Sequence, residues 1–482
     1  MRYSFTLALL LFHFITTSQT SGLAPTPIQE ASGGIQLSVD ELPSFRKVYV
    51  NTVSEVQFYD LQATGLSGSM VLQAQYPLMI SLHCHDDFQE QLLLTPSNGA
   101  VEERIYVRVF PEITGNFQAI ISHSSQGHTP RQLTTHAESI ESQVPPLYYS
   151  TATGSGRLLK TQLHNIIKDH NTQTYASLWS HFVQTDATFS GKVWDMYSDI
   201  PCQEPPYIFE FGVDQDTGSG GNTEGDVFNR EHSMPRSWFG GAVNPMNTDL
   251  YHIFPVDKHV NAVRDNWPYG RVNNPGWTSQ NGSRLGPNAA GGTYTGTAFE
   301  PIDAYKGDLA RAFLYMITRY EDRIENWTYS EEGNNMFDHN TYPGYKPWAI
   351  ELLLEWHNLD PVSHKERMRN DAVFQIQGNR NPFVDHPEFV EKIWGDTTLT
   401  TGKPGEWIYL NLYPNPSKGL VQWTSAQTIN QINTFTIDGR VVQMLTPHST
   451  QGIVNLYDFP AGVYIVRFRS GNHMTQKRVV LH

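Results

Sequence analysis

The spacing of apolar residues changes twice along this 482-residue chain, and those changes limit the architecture more than any other feature. From 24 to 125, short apolar runs recur between clusters of Gly, Ser, Asn and Pro: Val48-Tyr49-Val50, Val56-Gln57-Phe58, Met70-Val71-Leu72, Leu92-Leu93-Leu94 and Ile105-Tyr106-Val107. Short strands punctuated by turns predict a β-sandwich. From 148 to 396 the period becomes helical. Leu159, Leu163, Ile166 and Ile167 follow a helical stripe, and Leu309, Phe313, Met316 and Ile317 repeat it. A further helix is expected to start at Asp360-Pro361, with aspartate as cap and proline in the first turn. Val256 to Val263, after Pro255, reads as one or two helical turns. From 408 to 482 strands return, with Asp438-Gly439 as a hairpin turn. The polar, proline-bearing stretches 126–147 and 397–407 read as linkers. The chain is therefore multidomain: an α+β core flanked by two β-sandwiches.

Residues 1–20 have Arg2, an apolar run from Phe5 to Ile15, and then small and polar residues. This is the pattern of a secretory signal peptide, and after its removal no segment is long and apolar enough to span a bilayer. Cys84 and Cys202 are the only cysteines and fall in different blocks, so no disulfide framework is implied. His83-Cys84-His85-Asp86-Asp87 reads as a polar strand end or loop rather than a metal site, because no second ligand pair lies nearby in sequence. The formal net charge is −15, which excludes a broad basic face for nucleic acid. The exception is residues 405–482, with 6 Lys/Arg against 3 Asp/Glu.

The chemistry-bearing residues lie in the α+β block. Glu231 and His232 are adjacent, and Asn261 follows the histidine by 29 residues. A neutral imidazole can take a proton from water near neutral pH. A carboxylate and an amide oxygen are natural ligands for a hard divalent cation. On an extended segment Glu231 and His232 leave on opposite faces, so one can ligate while the other faces water. A strand bearing Glu-His followed by a helix bearing Asn is a ββα-metal arrangement, suited to phosphodiester hydrolysis. Arg264 lies one helical turn beyond Asn261; Arg311 and Arg380 sit in GDLARAF and QGNRNP. All three are candidate phosphate contacts, against the alternative that each holds a carboxylate such as Asp308 or Asp385. Arg230 and Arg236 flank the pair without an assigned role.

Several ordered motifs carry a resemblance: Arg230-Glu231-His232 with Pro235, Asp249-Leu250 with Pro255, Val260-Asn261 with Arg264 and Asn266, GDLARAFLYMITRY, WHNLDPVSHKERMRNDAVFQIQGNRNPFVDHPEFV and LLKTQLHNIIKDH. Over about 148–396 the chain resembles the endonuclease I family of secreted, non-specific His-Me finger nucleases. Arg264 is the candidate catalytic contact, and Arg311 and Arg380 are candidate substrate contacts. The resemblance implies His232 as general base and Glu231 and Asn261 as ligands of one Mg²⁺, with Mn²⁺ or Ca²⁺ as substitutes. It also implies little sequence specificity, DNA and/or RNA as substrate, and 5′-phosphate products. Members of that family often carry cysteines shortly before Arg-Glu-His; FGVDQDTGSGGNTEGDVFNREH has none, so this loop is expected to be unstapled.

The N-terminal block, 24–125, resembles the immunoglobulin-like accessory domains found beside enzymes in secreted bacterial proteins. Tyr413-Pro414-Asn415-Pro416, Ile437-Asp438-Gly439-Arg440 and Pro460-Ala461-Gly462-Val463-Tyr464, ending in a Lys/Arg-bearing strand, resemble the sorting domain of type IX secretion. That implies export to the outside or the cell surface, with the secretion machinery as a partner, and the protein is expected to be monomeric. The alternatives are an extracellular ribonuclease, or a surface binding protein whose nuclease-like domain no longer cuts.

Overall fold

The computed structural model describes residues 33–289, 294–327, 329–395, 410–436, 441–470 and 473–482. The signal-peptide expectation at 1–20, the linker at 397–407 and the Asp438-Gly439 turn lie outside these residues.

The N-terminal strands are β1 (Ile35–Leu37), β2 (Lys47–Tyr49), β3 (Gln57–Thr64), β4 (Met70–Ala74), β5 (Leu78–Ser81), β6 (Gln91–Leu94), β7 (Ala100–Val109), β8 (Gly115–Ser125) and β9 (Arg131–Ile140). They form two sheets, β1-β3-β7-β5 and β2-β9-β8-β4-β6. In β3, Tyr59, Leu61 and Ala63 are buried while Asp60 and Thr64 are exposed. That period of two puts one face of each sheet into a shared core with Leu72, Ile105, Val107 and Ile121. Strand β9 occupies part of the segment read from sequence as a linker. It pairs antiparallel with β8 and parallel with β2, and its inward Leu133 and Ala137 complete the core. Its alternation is hidden because Thr and His fill many of its positions.

The central block contains α1 (Gly156–Ile167), α2 (Leu178–Thr185), β10 (Phe228–His232), β11 (Ile253–Asp257), α3 (Lys258–Arg264), β12 (Trp277–Thr278), β13 (Arg284–Pro287), β14 (Thr297–Glu300), α4 (Lys306–Arg319), α5 (Glu331–Met336), α6 (Pro347–Leu359), α7 (His364–Gln377), α8 (Pro382–Asp385) and α9 (Glu388–Trp394). Helix α4 is the axis of the core: every residue except Asp308 is buried. An all-round buried helix needs partners for its polar groups, and Arg311 and Lys306 find them in Glu366 and Glu300. At its start, a Cβ on Gly307 would lie 2.0 Å from the Asp360 carbonyl oxygen, so only glycine allows this approach of α4 to the α6–α7 turn.

Two helix starts differ from the sequence reading. Residues 253–257 form strand β11, and α3 begins only at Lys258, because Phe254 and Val256 are drawn into pairing with β10. Asp360 closes α6 rather than opening a helix; α7 starts at His364, where Ser363 and Glu366 make a reciprocal capping box.

The C-terminal strands are β15 (Leu410–Tyr413), β16 (Leu420–Ile429), β17 (Gln431–Thr436), β18 (Val441–Leu445), β19 (Ser449–Asn455), β20 (Gly462–Ser470) and β21 (His473–Leu481). They form sheets β15-β16-β19 and β18-β17-β20-β21 around Val421, Trp423, Ile432, Val466 and Phe468. Among the described residues no helix is long and apolar enough to cross a membrane.

The N-terminal sandwich is docked on the central block. Phe45 meets Phe189 edge-on at 5.5 Å. His364 Nε2 lies 2.7 Å from the Lys47 carbonyl, the Lys365 amide donates to Glu55 at 2.9 Å, and Tyr49 donates to Asp371. Cys84 and Cys202 are joined by a disulfide, their Cα atoms 6.0 Å apart. This corrects the sequence reading in two ways. The two cysteines are partners because docking brings the 82–88 loop against the segment after Tyr197. The long loop ahead of Glu231 is also stapled at its start, to the other domain rather than within its own.

Candidate active site

β10 and β11 pair antiparallel, with Glu231 opposite Phe254 and His232 opposite Ile253. The turn from β11 into α3 is fixed by Asp257: its side chain accepts from the Val260 amide at 2.9 Å, and its own amide donates to Asp195 at 3.1 Å. That cap sets the rotation of α3. Asn261 and Arg264, one turn apart, face Asn229 and Glu231, which share a face of β10. Asn261 Nδ2 donates to Asn229 Oδ1 at 2.7 Å. Arg264 Nη1 lies 3.2 Å from Glu231 Oε1.

Glu231 is buried, and Tyr197 donates a second contact to the same Oε1 at 3.2 Å. Burial pushes its carboxyl up to about 7, against the opposing pull of Arg264 and Tyr197. With these contacts on Oε1, Oε2 is the oxygen available for a ligand. Asn261 spends its amide nitrogen on Asn229, which leaves its Oδ1 as an acceptor. A carboxylate oxygen and an amide oxygen with no thiolate among them fit a hard divalent cation, and a positive charge at Oε2 would offset the burial that disfavours the carboxylate.

His232 leaves the opposite face of the strand. Its Nε2 lies 3.1 Å from the Asn247 carbonyl oxygen. A carbonyl only accepts, so Nε2 carries the proton and Nδ1 keeps the lone pair. Burial, then His252 and the cations Arg236 and Arg230, push the imidazole well below its ordinary value, while the Asn247 contact opposes this. The ring is thus held neutral and in one tautomer. Tyr175 lies nearly parallel to it, at 6.1 Å and 23°.

The three arginines marked by spacing are not brought to the site as phosphate contacts. Arg264 is 1% exposed and grips the strand from within, donating to the carbonyls of His232 and Ser233 as well as to Glu231. Arg311 forms a bidentate pair with Glu366 at 2.6 Å on both arms. Arg380 is held by Asp385 at 2.7 and 2.9 Å and by Asp371 at 2.7 Å. Long basic side chains in a helical core are worth burying only when paired; the partners of Arg264 and Arg311 lie far away in sequence, while those of Arg380 are five and nine residues away. Asn229, Tyr197, Asn247 and Tyr175 were not singled out from the sequence. The period of two in β10 marks Asn229 as a companion of Glu231; nothing local marks the other three.

A family model described as Endonuclease I matches residues 155–388, and one described as Secretion system C-terminal sorting domain matches residues 411–482. The class is therefore that of a nuclease carrying an export signal in its last domain. The chain is 32% identical over 293 residues to an extracellular ribonuclease of Bacillus amyloliquefaciens, covering 59% of this chain and 90% of that protein. It is 33% identical over 251 residues to an extracellular ribonuclease of Bacillus subtilis (strain 168), covering 51% and 78%. An endonuclease-1 of Buchnera aphidicola subsp. Baizongia pistaciae is 27% identical over 139 residues, covering 29% and 46%. The chain belongs to the endonuclease I family, and its type IX sorting domain directs it to the outside or the cell surface.

Proposed function

We propose that the protein is an extracellular, divalent-metal-dependent endonuclease of the His-Me finger type that hydrolyses phosphodiester bonds in DNA and RNA with little sequence preference, leaving 5′-phosphates. One observation carries the reading: a neutral imidazole, its Nε2 committed to a carbonyl, shares a strand with a buried carboxylate that Arg264 ties to the helix bearing Asn261. His232 Nδ1 takes the proton from the attacking water. Asn247 keeps the ring in the tautomer this requires, and Tyr175 limits solvent over it. Glu231 and Asn261 hold the cation, with Arg264 and Tyr197 fixing the carboxylate. When bound, Mg²⁺, or Mn²⁺ or Ca²⁺ in its place, would supply charge neutralisation at the phosphate and at the departing oxygen.

Water as nucleophile needs no 2′-hydroxyl, so DNA and RNA are both chemically possible substrates. The inclusion of RNA is supported by relatives named extracellular ribonuclease. With Mg²⁺ the purified protein should degrade plasmid DNA and bulk RNA, and chelator should stop both reactions. His232→Ala should lower turnover by roughly 10²–10⁴-fold while leaving the melting temperature in place. Undiminished cleavage by that variant would overturn the mechanism. If wild type cleaves neither polymer with any divalent metal, the surface-binding alternative is the better account.

A further inference from the structure

Arg264, Arg311 and Arg380 are buried in internal pairs, which leaves open which cation meets the phosphate. Arg230 stands two residues before His232 on β10, and so on the same face of the strand. Its guanidinium carbon lies 3.7 Å from the Tyr175 ring centroid and 4.3 Å from that of Trp179. Nη1 donates to the Tyr175 carbonyl at 2.7 Å. Among the described residues it forms no ion pair; Asp216, the carboxylate that acts on it, is engaged by Lys258 at 2.9 Å. The bland account is an arginine stem packed on aromatic surface. Three features go beyond it. The guanidinium lies over two rings, one of those rings is also nearly parallel to the His232 imidazole, and the cation is half-buried without a carboxylate of its own. Stacking on rings consumes none of the N–H donors, so part of the planar fork stays available to an incoming anion.

We propose that Arg230 is the phosphate-contacting arginine of this site, donating to non-bridging oxygens of the phosphate beside His232, with Tyr175 as its positioning residue. The inference rests on the hydrolase reading above. Arg236 is exposed, with its guanidinium 5.9 Å from the Tyr175 ring, and supplies diffuse positive charge rather than a fixed contact.

The test has a binding arm and a kinetic arm. Chelator-treated protein is titrated with a fluorescent single-stranded oligonucleotide across a salt series. Arg230→Gln should lower the slope of log affinity against log salt by about 0.7, one phosphate contact on a single strand. In the kinetic arm it should lower kcat/KM by roughly 10–100-fold with the melting temperature unchanged. Arg230→Lys should keep the salt slope yet lose about tenfold in kcat/KM, because a point charge replaces the fork. Tyr175→Leu should keep the slope and lose kcat more than KM, and the conservative Tyr175→Phe, which restores the ring, should recover most of that loss. An active wild type whose Arg230→Gln variant keeps both slope and kcat/KM overturns the inference and leaves the hydrolase reading standing. A wild type that neither binds nor cleaves overturns both. Should Arg230→Gln fail to fold, Arg230→Lys decides: full activity overturns the role of the fork, and a tenfold loss with normal melting supports it.

Discussion

Arg264, Arg311 and Arg380 have the same side chain and the same sequence-level interpretation, yet each ends as an internal tie. Arg311 joins α4 to the start of α7, because its partner Glu366 is also the capping-box residue there. Removing the arginine strands Glu366 beside Asp308, so Arg311→Ala is expected to cost about 3–5 kcal/mol in urea unfolding, before any effect on binding. His123 gives a pH signature in the sandwich. It is fully buried, its Nε2 is 2.6 Å from the Tyr59 hydroxyl, and burial pushes it down from 6.5 to about 4. The folded form therefore resists protonation that the unfolded chain accepts. Stability from the neutral ring is complete above about pH 6.5 and is lost as pH falls toward about 4, a decline of order 3 kcal/mol. Thermal melts of His123→Gln should lack that component; an unchanged pH profile would show that another group sets it.

At the scale of elements, the sequence was informative where periodicity was strong. α1 and α4 lie where the apolar stripes of Leu159–Ile167 and Leu309–Ile317 put them. It failed where pairing or capping overrode the local pattern. Pro255 suggested a helix start, but Val256 pairs with Asn229 across the hairpin, and only Asp257 releases the chain into α3. Asp360-Pro361 suggested a cap, but in the fold Ser363 and Glu366 cap α7. Ser363→Ala should therefore cost about 1 kcal/mol of stability, read from denaturant unfolding, while Asp360→Asn should leave the start of α7 intact. Of the site, Glu231, His232 and Asn261 were legible because a strand's alternation and a helix's turn fix their relative directions. Asn247 and Tyr197 were not, since they reach Glu231 and His232 through loops whose course depends on the finished core.

Across the whole molecule, the docked sandwich and the Cys84–Cys202 bond make the first two blocks one mechanical unit. The disulfide closes a span of 118 residues, so Cys84→Ser with Cys202→Ser should lose about 2–5 kcal/mol, seen as a lower melting temperature without reductant. A glutamyl endopeptidase should then cut earlier at Glu210 or Glu224, in the loop between Cys202 and Phe228 that the bond anchors at one end. By itself the sequence determined the succession of strand-rich and helical blocks, the sorting-domain motifs and the nearness of Glu231, His232 and Asn261, because apolar period and short-range geometry are local properties. Only the tertiary structure decided that two cysteines in separate blocks are partners and that three basic residues are internal. It also showed that Tyr175, unmarked in the sequence, lies against both Arg230 and His232. Contact between residues far apart in sequence depends on how surfaces pack, and local pattern does not encode which charged groups a packed core will enclose.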